Sequence, residues 1–352
     1  MNQTQPNSNN DHSSNDKHIA IWLLVCCALV FSMVVLGGVT RLTRSGLSMV
    51  EWNPIMGVIP PLSQEQWTDT FEKYKQFPEY RKINKGMQLD EFKSIFWFEY
   101  SHRLLGRVIG MAFLFPFLYF LIRKRIKKSL TPKLVVMFIL GGLQGLLGWY
   151  MVKSGLVDNP HVSQYRLTAH LGAAMLIYGY MLWVAVGLLT ENRQTESPAN
   201  IKQFRGFALT VTALICIMIL SGGLVAGTKA GFLFNTFPKM NGHWLPPGLL
   251  SIEPAIMNLF ENVATIQFNH RVLAFVLFLV IPLFWLRTLG KSMNSDTRLA
   301  ANLLLVMLLV QVALGITTLL YVVPVALGAA HQAGALLLLS FALYLNHCLR
   351  KS

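Results

Sequence analysis

The chain has 352 residues, of which 53% are hydrophobic and only 13% charged, about half the charged share of an ordinary soluble domain, which argues against a globular water-soluble enzyme. A net charge of +14 would suggest nucleic acid in a soluble protein. Here the Lys and Arg cluster in short segments between apolar runs, so membrane topology explains the charge and no nucleic-acid partner is expected.

Residues 1–18 are rich in Asn and Ser, with no apolar surface to bury, and read as a disordered cytoplasmic tail. The apolar run 19–39 lacks a basic leader and runs into Gly37-Gly38-Val39-Thr40 rather than a small-residue cleavage site, so it reads as a retained first helix. Segment 41–93 carries eight basic and seven acidic residues and is placed outside, because long loops translocate despite charge. Within it, 61–93 with Trp67, Phe71, Tyr74, Phe77 and Tyr80 reads either as an amphipathic cap over the outer bundle face or, by default, as a solvated helix. Further apolar runs cover 94–122, 133–152, 163–190, 204–226, 262–289, 298–321 and 325–348. Each can cross a hydrocarbon core that needs about 20 helical residues. The fold class is therefore an all-α membrane protein of eight transmembrane helices.

Six basic residues lie in 123–133, three in 191–205 and three in 287–298, against Lys153 alone in 153–162, which puts both termini in the cytoplasm. Cys26, Cys27, Cys216 and Cys348 all fall in predicted helices, and no disulfide is expected.

The sequence is duplicated. Glu99-Tyr-Ser-His102-Arg103 matches Gln267-Phe-Asn-His270-Arg271 at an offset of 168, Gln144 and Gly148 match Gln311 and Gly315 at 167, and His170 matches His331 at 161. Gly37-Gly38 with Thr43-Arg44-Ser45-Gly46 matches Gly222-Gly223 with Thr228-Lys229-Ala230-Gly231 at 185. Four spans per half is an even number, so the halves are read as parallel repeats, 19–190 and 204–349, joined by a cytoplasmic linker 191–203.

His102, His170, His270 and His331 all fall near the outer ends of helices that run inward. Ionisable side chains inside a span are costly and mark functional sites. Two histidines at one depth on parallel helices can ligate haem iron from both faces, and two such pairs give two haem sites. A single helix histidine is more simply a hydrogen-bonding group, and it is the repetition that favours haem. Zinc or copper would need further nearby ligands. Arg103 and Arg271 follow the first histidine of each pair and are candidates for contacts with haem propionates. His12, His18, His161, His243 and His347 are assigned nothing.

Glu99 shares a helix face with His102, whereas the second half has Gln267. A carboxylate exchanges protons and stabilises positive charge better than an amide, which nominates the first half for chemistry and the second for electron transfer. The alternative is that Glu99 is solvated or paired with Arg103 at i+4.

Gly37-Gly38-Val39-Thr40-Arg41-Leu42-Thr43-Arg44-Ser45-Gly46-Leu47-Ser48, Glu51-Trp52-Asn53-Pro54 and Glu99-Tyr100-Ser101-His102-Arg103 resemble the haem A synthase family of mitochondria and many Gram-negative bacteria, over essentially everything after the tail. The resemblance implies oxidation of the C8 methyl of haem O to a formyl group by successive hydroxylations and loss of water, giving haem A for cytochrome c oxidase. It also implies Glu99 as the essential glutamate, His102 and His170 as ligands of the substrate haem O, and His270 and His331 as iron ligands of a haem B cofactor. It places the protein in the bacterial plasma membrane, or the mitochondrial inner membrane in a eukaryote. An unidentified electron carrier, the haem O-forming farnesyltransferase, oxidase assembly factors and the lipid bilayer are the implied partners, and a homo-oligomer is left open. The external-loop cysteine pair of some members is missing, so no thiol role carries over. Two other functions remain open, a di-haem b-type electron-transfer cytochrome and a haem-free transporter built on the same duplicated bundle.

Overall fold

The computed structural model describes residues 8–51, 56–155, 162–190, 201–291 and 293–350. Residues 1–7 of the expected tail, Trp52-Asn53-Pro54, the connection 156–161 with His161, and linker residues 191–200 lie outside the described residues.

Among the described residues ten α-helices follow in order: α1 (Ser8–Leu42), α2 (Gln64–Lys75), α3 (Pro78–Lys82), α4 (Leu89–Ile122), α5 (Thr131–Gly155), α6 (Gln164–Thr190), α7 (Ile201–Gly227), α8 (Val263–Thr288), α9 (Ser295–Leu320) and α10 (Val325–Arg350). Eight of them, all but α2 and α3, are long and apolar enough to span a bilayer.

Two boundaries differ from the sequence expectation. Residues 8–18 belong to α1 rather than to a tail. Asp16 is buried and pairs with Lys127 across the basic turn between α4 and α5 at 2.6 Å, which gives the polar end of the helix a tertiary anchor that composition does not reveal. α4 starts at Leu89 rather than 94, because Gln88 and Glu91 form a reciprocal capping box there. Its 34 residues make it about 50 Å long, so its first turns stand clear of a roughly 30 Å hydrocarbon core.

That projecting end explains 61–93. α2, capped by Ser63 and Gln66, buries Trp67, Phe71 and Tyr74 against Phe92, Phe96 and Tyr100 of α4. Phe92 is fully buried, with ring centroids 5.0 Å from Phe71 and 5.1 Å from Tyr74. The segment is a packed aromatic cap rather than a solvated helix.

Helix contacts close two rings, α1-α4-α5-α6 and α7-α8-α9-α10. The two main core clusters draw largely on one ring each, the first from Leu23, Phe113, Leu134 and Met181, the second from Ile215, Ile281, Leu304 and Leu339. The rings meet reciprocally: α1 packs on α10, α7 packs on α6, and α6 meets α10. Gln332 of α10 donates to the Val34 carbonyl of α1 at 2.9 Å, beside Gly38, while the matching Gly223 of α7 lies against Thr168 of α6. An isologous contact between like halves has this form. Cys26, Cys27, Cys216 and Cys348 are free thiols within helices.

Truncating a fully buried aromatic costs about 3–5 kcal/mol. Phe92→Ala is therefore expected to release the cap, read as faster proteolysis within 61–93 in detergent, with the eight spans and their helical circular dichroism retained.

Candidate haem sites

His102, His170, His270 and His331 sit on α4, α6, α8 and α10, each half-buried and each facing a glycine of a neighbouring helix in its own ring. A Cβ built on Gly37 would lie 3.1 Å from Nε2 of His102, and one on Gly148 would lie 3.0 Å from Cε1 of His170. The corresponding distances are 3.5 Å from Gly222 to Cε1 of His270 and 2.9 Å from Gly315 to Cε1 of His331. Missing side chains on α1, α5, α7 and α9 thus make the room in which the imidazoles sit. These glycines are visible in the sequence as members of the repeat, but their role as the histidines' seats appears only in the structure.

A second repeated device fixes the starts of α6 and α10. Nε2 of Gln144 donates to the His170 carbonyl at 2.9 Å, and Nε2 of Gln311 donates to the His331 carbonyl at 2.9 Å. Nδ1 of His170 and Nδ1 of His331 are buried without a hydrogen-bond partner, and the Ser221 hydroxyl lies 3.1 Å from Nδ1 of His270. Buried imidazole nitrogens left unpaired are costly unless something ligates or hydrogen-bonds the rings. Among the described residues no three His, Cys, Asp or Glu side chains gather where they could hold a metal ion. Two imidazoles per half and no further protein donors suit an iron whose other four ligands come from a macrocycle, and do not suit zinc.

Glu99 is buried, and all its acceptor sites are used. Oε2 accepts from the Ser48 hydroxyl and the Met49 amide, both at 2.8 Å, and Oε1 accepts from Nε and Nη2 of Arg103 at 3.1 and 2.5 Å. The ion pair at i+4 is therefore present and the carboxylate is not solvated. Arg103 also donates to the carbonyls of Met49 and Glu51 at 2.7 and 3.1 Å. In the second half Arg271 donates to the carbonyls of Phe234 and Thr236 at 2.7 and 2.9 Å, and Gln267 donates to Phe234 at 3.0 Å. Met49 and Phe234, like Glu51 and Thr236, are 185 positions apart, the offset of the paired glycines. In the structure Arg103 and Arg271, the candidates for propionate contacts, each clamp two carbonyls of the loop before their own helix, one of them at a partly buried position.

The halves differ in one packing feature below the histidines. Gly141 and Gly145 share the face of α5 that Gly148 turns to His170, and nothing lies within 4 Å of a Cβ built on either. At the offset of 167 their counterparts on α9 are Leu308, 2% exposed in the core, and Val312, packed against that core. The first half is open where the second is filled.

Two other histidines among the described residues lie elsewhere. His347 is buried at the far end of α10, 2.7 Å from the Thr190 hydroxyl, and His243 lies in the loop before α8.

Residues 20–343 match a family model described as cytochrome oxidase assembly protein. The chain is 57% identical to a protein named haem A synthase from Nitrosospira multiformis, over 99% of this chain and 98% of that protein. It is 47% identical to haem A synthase COX15 from Arabidopsis thaliana, over 95% of this chain and 75% of that protein. A mouse protein of the same name is 44% identical, over 96% of this chain and 83% of that protein.

Forcing a methyl group into a packed core costs about 1–3 kcal/mol, and 1.4 kcal/mol is about tenfold in affinity. Gly315→Ala, at the 2.9 Å contact, is expected to weaken any binding of added haem at the His270/His331 pair about tenfold. Gly222→Ala, at 3.5 Å, is expected to leave it nearly unchanged. Reduced-minus-oxidised spectra of the purified variants check both.

Proposed function

The chain belongs to the cytochrome oxidase assembly protein family, and we propose that it is a membrane-embedded haem A synthase, oxidising the C8 methyl of haem O to a formyl group for cytochrome c oxidase. The carrying observation is the duplicated pair of imidazoles, each seated on a glycine of its own ring. In this reading His270 and His331 hold haem B, whose iron supplies one-electron chemistry when bound. His102 and His170 hold the substrate. Basic residues in the short connections support a cytoplasmic location for both termini, with the histidines toward the outer face.

Two contrasts between the halves support giving haem O to the first. Haem O carries a long apolar tail that haem B lacks, and the first half has open space at Gly141 and Gly145 where the second has Leu308 and Val312. The first half also has a carboxylate where the second has an amide. Glu99 stands three positions from His102, and its negative charge can stabilise positive charge developing on the oxidised carbon. Ser48 can loosen its hold on Glu99, because its hydroxyl also lies 2.9 Å from the Ser45 carbonyl and can turn to it.

Wild type and Glu99 variants, expressed with a source of haem O, would be tested by pigment extraction and chromatography. Wild type should yield haem A. Glu99→Gln, which copies the second half, should keep the fold and haem B yet lose most haem A. Glu99→Ala also removes the ion-pair partner of Arg103 and should cost about 3–5 kcal/mol of stability, seen in thermal unfolding. Two unmodified b haems in wild type would favour the electron-transfer cytochrome, and a colourless protein the transporter. Gly141→Leu with Gly145→Val should exclude haem O from the first half, with haem B retained in the second. Undiminished haem O binding in that variant would sink the assignment of the halves.

A further inference from the structure

Arg103 and Arg271 are engaged on loop carbonyls, yet a different group of cations stands between the two sites. Arg41 follows Gly37 by four positions on α1, one helical turn or about 6 Å further toward the loops, and Gly37 seats His102. Ala226 follows Gly222 in the same way on α7, and Gly222 seats His270. Nη2 of Arg41 donates to the carbonyls of Ala226 and Gly227, so this guanidinium joins the two helix ends that back both sites. Arg41 and Ala226 are 185 positions apart, so the contact links a position to its own repeat counterpart, as happens at the axis between like halves.

Arg44 and Lys229, again 185 apart, follow the ends of α1 and α7 in the same left-handed turn, with φ of 54° and 58°. Partial burial, with Arg44 and Arg41 close by, pushes the Lys229 ammonium below its ordinary range. No carboxylate among the described residues forms an ion pair with Arg41, Arg44 or Lys229. Nε of Arg41 is buried and has no hydrogen-bond partner.

The simpler explanation is that the three cations only answer the negative ends of α1 and α7. That accounts for Nη2 of Arg41 and leaves its buried Nε unanswered. Like charges held together, with a buried donor to spare, call for an anionic oxygen group.

We propose that Arg41, Arg44 and Lys229 form a carboxylate-binding site at the junction of the halves, which takes propionate groups of the porphyrins held by the histidine pairs. The site rests on the haem reading above. Because Arg41 bridges α1 and α7, it stands in reach of both halves, and one guanidinium can then fix the edge of the resident porphyrin and orient the incoming one.

The test uses full-length protein purified in detergent and titrated with ferric haem B or with its dimethyl ester, in which both propionates are neutral. A hydrogen bond to a charged group is worth about 1.5–3 kcal/mol, so wild type should prefer the free acid by about tenfold or more. Arg44→Gln/Lys229→Gln leaves the Arg41 contacts with Ala226 and Gly227 in place, which guards against misfolding, and should shrink the preference several-fold. Adding Arg41→Gln should abolish it, with the bis-imidazole spectrum of bound ester unchanged.

An undiminished preference in the triple variant overturns the site. So does equal binding of acid and ester by wild type, and if native mass spectrometry then shows an anionic phospholipid lost from the variant, the anion is a lipid headgroup. A wild type that binds neither porphyrin defeats the haem reading itself, an outcome distinct from haem binding without acid preference.

Discussion

An imidazole inside a membrane span is tolerated only where its nitrogens have something to bind and its ring has somewhere to stand. Four such rings set the terms for this protein. Each needs a neighbouring helix close enough to back it, and that approach is possible only where the facing residue has no side chain. Gly37, Gly148, Gly222 and Gly315 meet the requirement, and each belongs to a helix adjacent to its histidine's helix in the same ring. The spacing of the helices, the bonds from Gln144 and Gln311 to histidine carbonyls, and the two-ring plan all serve these four contacts.

The duplication reaches down to single hydrogen bonds. Arg103 holds Met49 and Glu51, while Arg271 holds Phe234 and Thr236. Loops of different length are thereby fastened to the mouths of their sites in one manner. Against so uniform a background the few departures stand out, and they cluster in the first half: a carboxylate in place of an amide, and open space in place of Leu308 and Val312. Under the proposed division of labour, a half that admits and releases a large substrate needs room and charge, whereas a half that keeps its ligand gains from a filled core.

In the proposed reading Glu99 is structural and chemical at once. Two of its four hydrogen bonds, from Ser48 and Met49, tie α4 to the loop after α1, so removing it disturbs architecture as well as charge. The glutamine used by the second half is the change that separates the two roles.

The apolar runs, the duplication, the four histidines and the Glu99/Gln267 contrast were all legible in the sequence, because the bilayer forces long apolar segments and a repeat exposes whatever it keeps or alters. The sequence placed Glu99 and Arg103 on one helix face but left open whether they pair, since i+4 spacing allows contact without requiring it. Tertiary structure decided the rest. It set Arg103 and Arg271 on loop carbonyls, made 61–93 a packed cap, carried α1 back to Ser8, and brought Arg41 to the end of α7. Periodicity and spacing report which face of a helix a residue occupies. Which distant backbone group meets that face depends on how the helices pack together, and no local pattern encodes it.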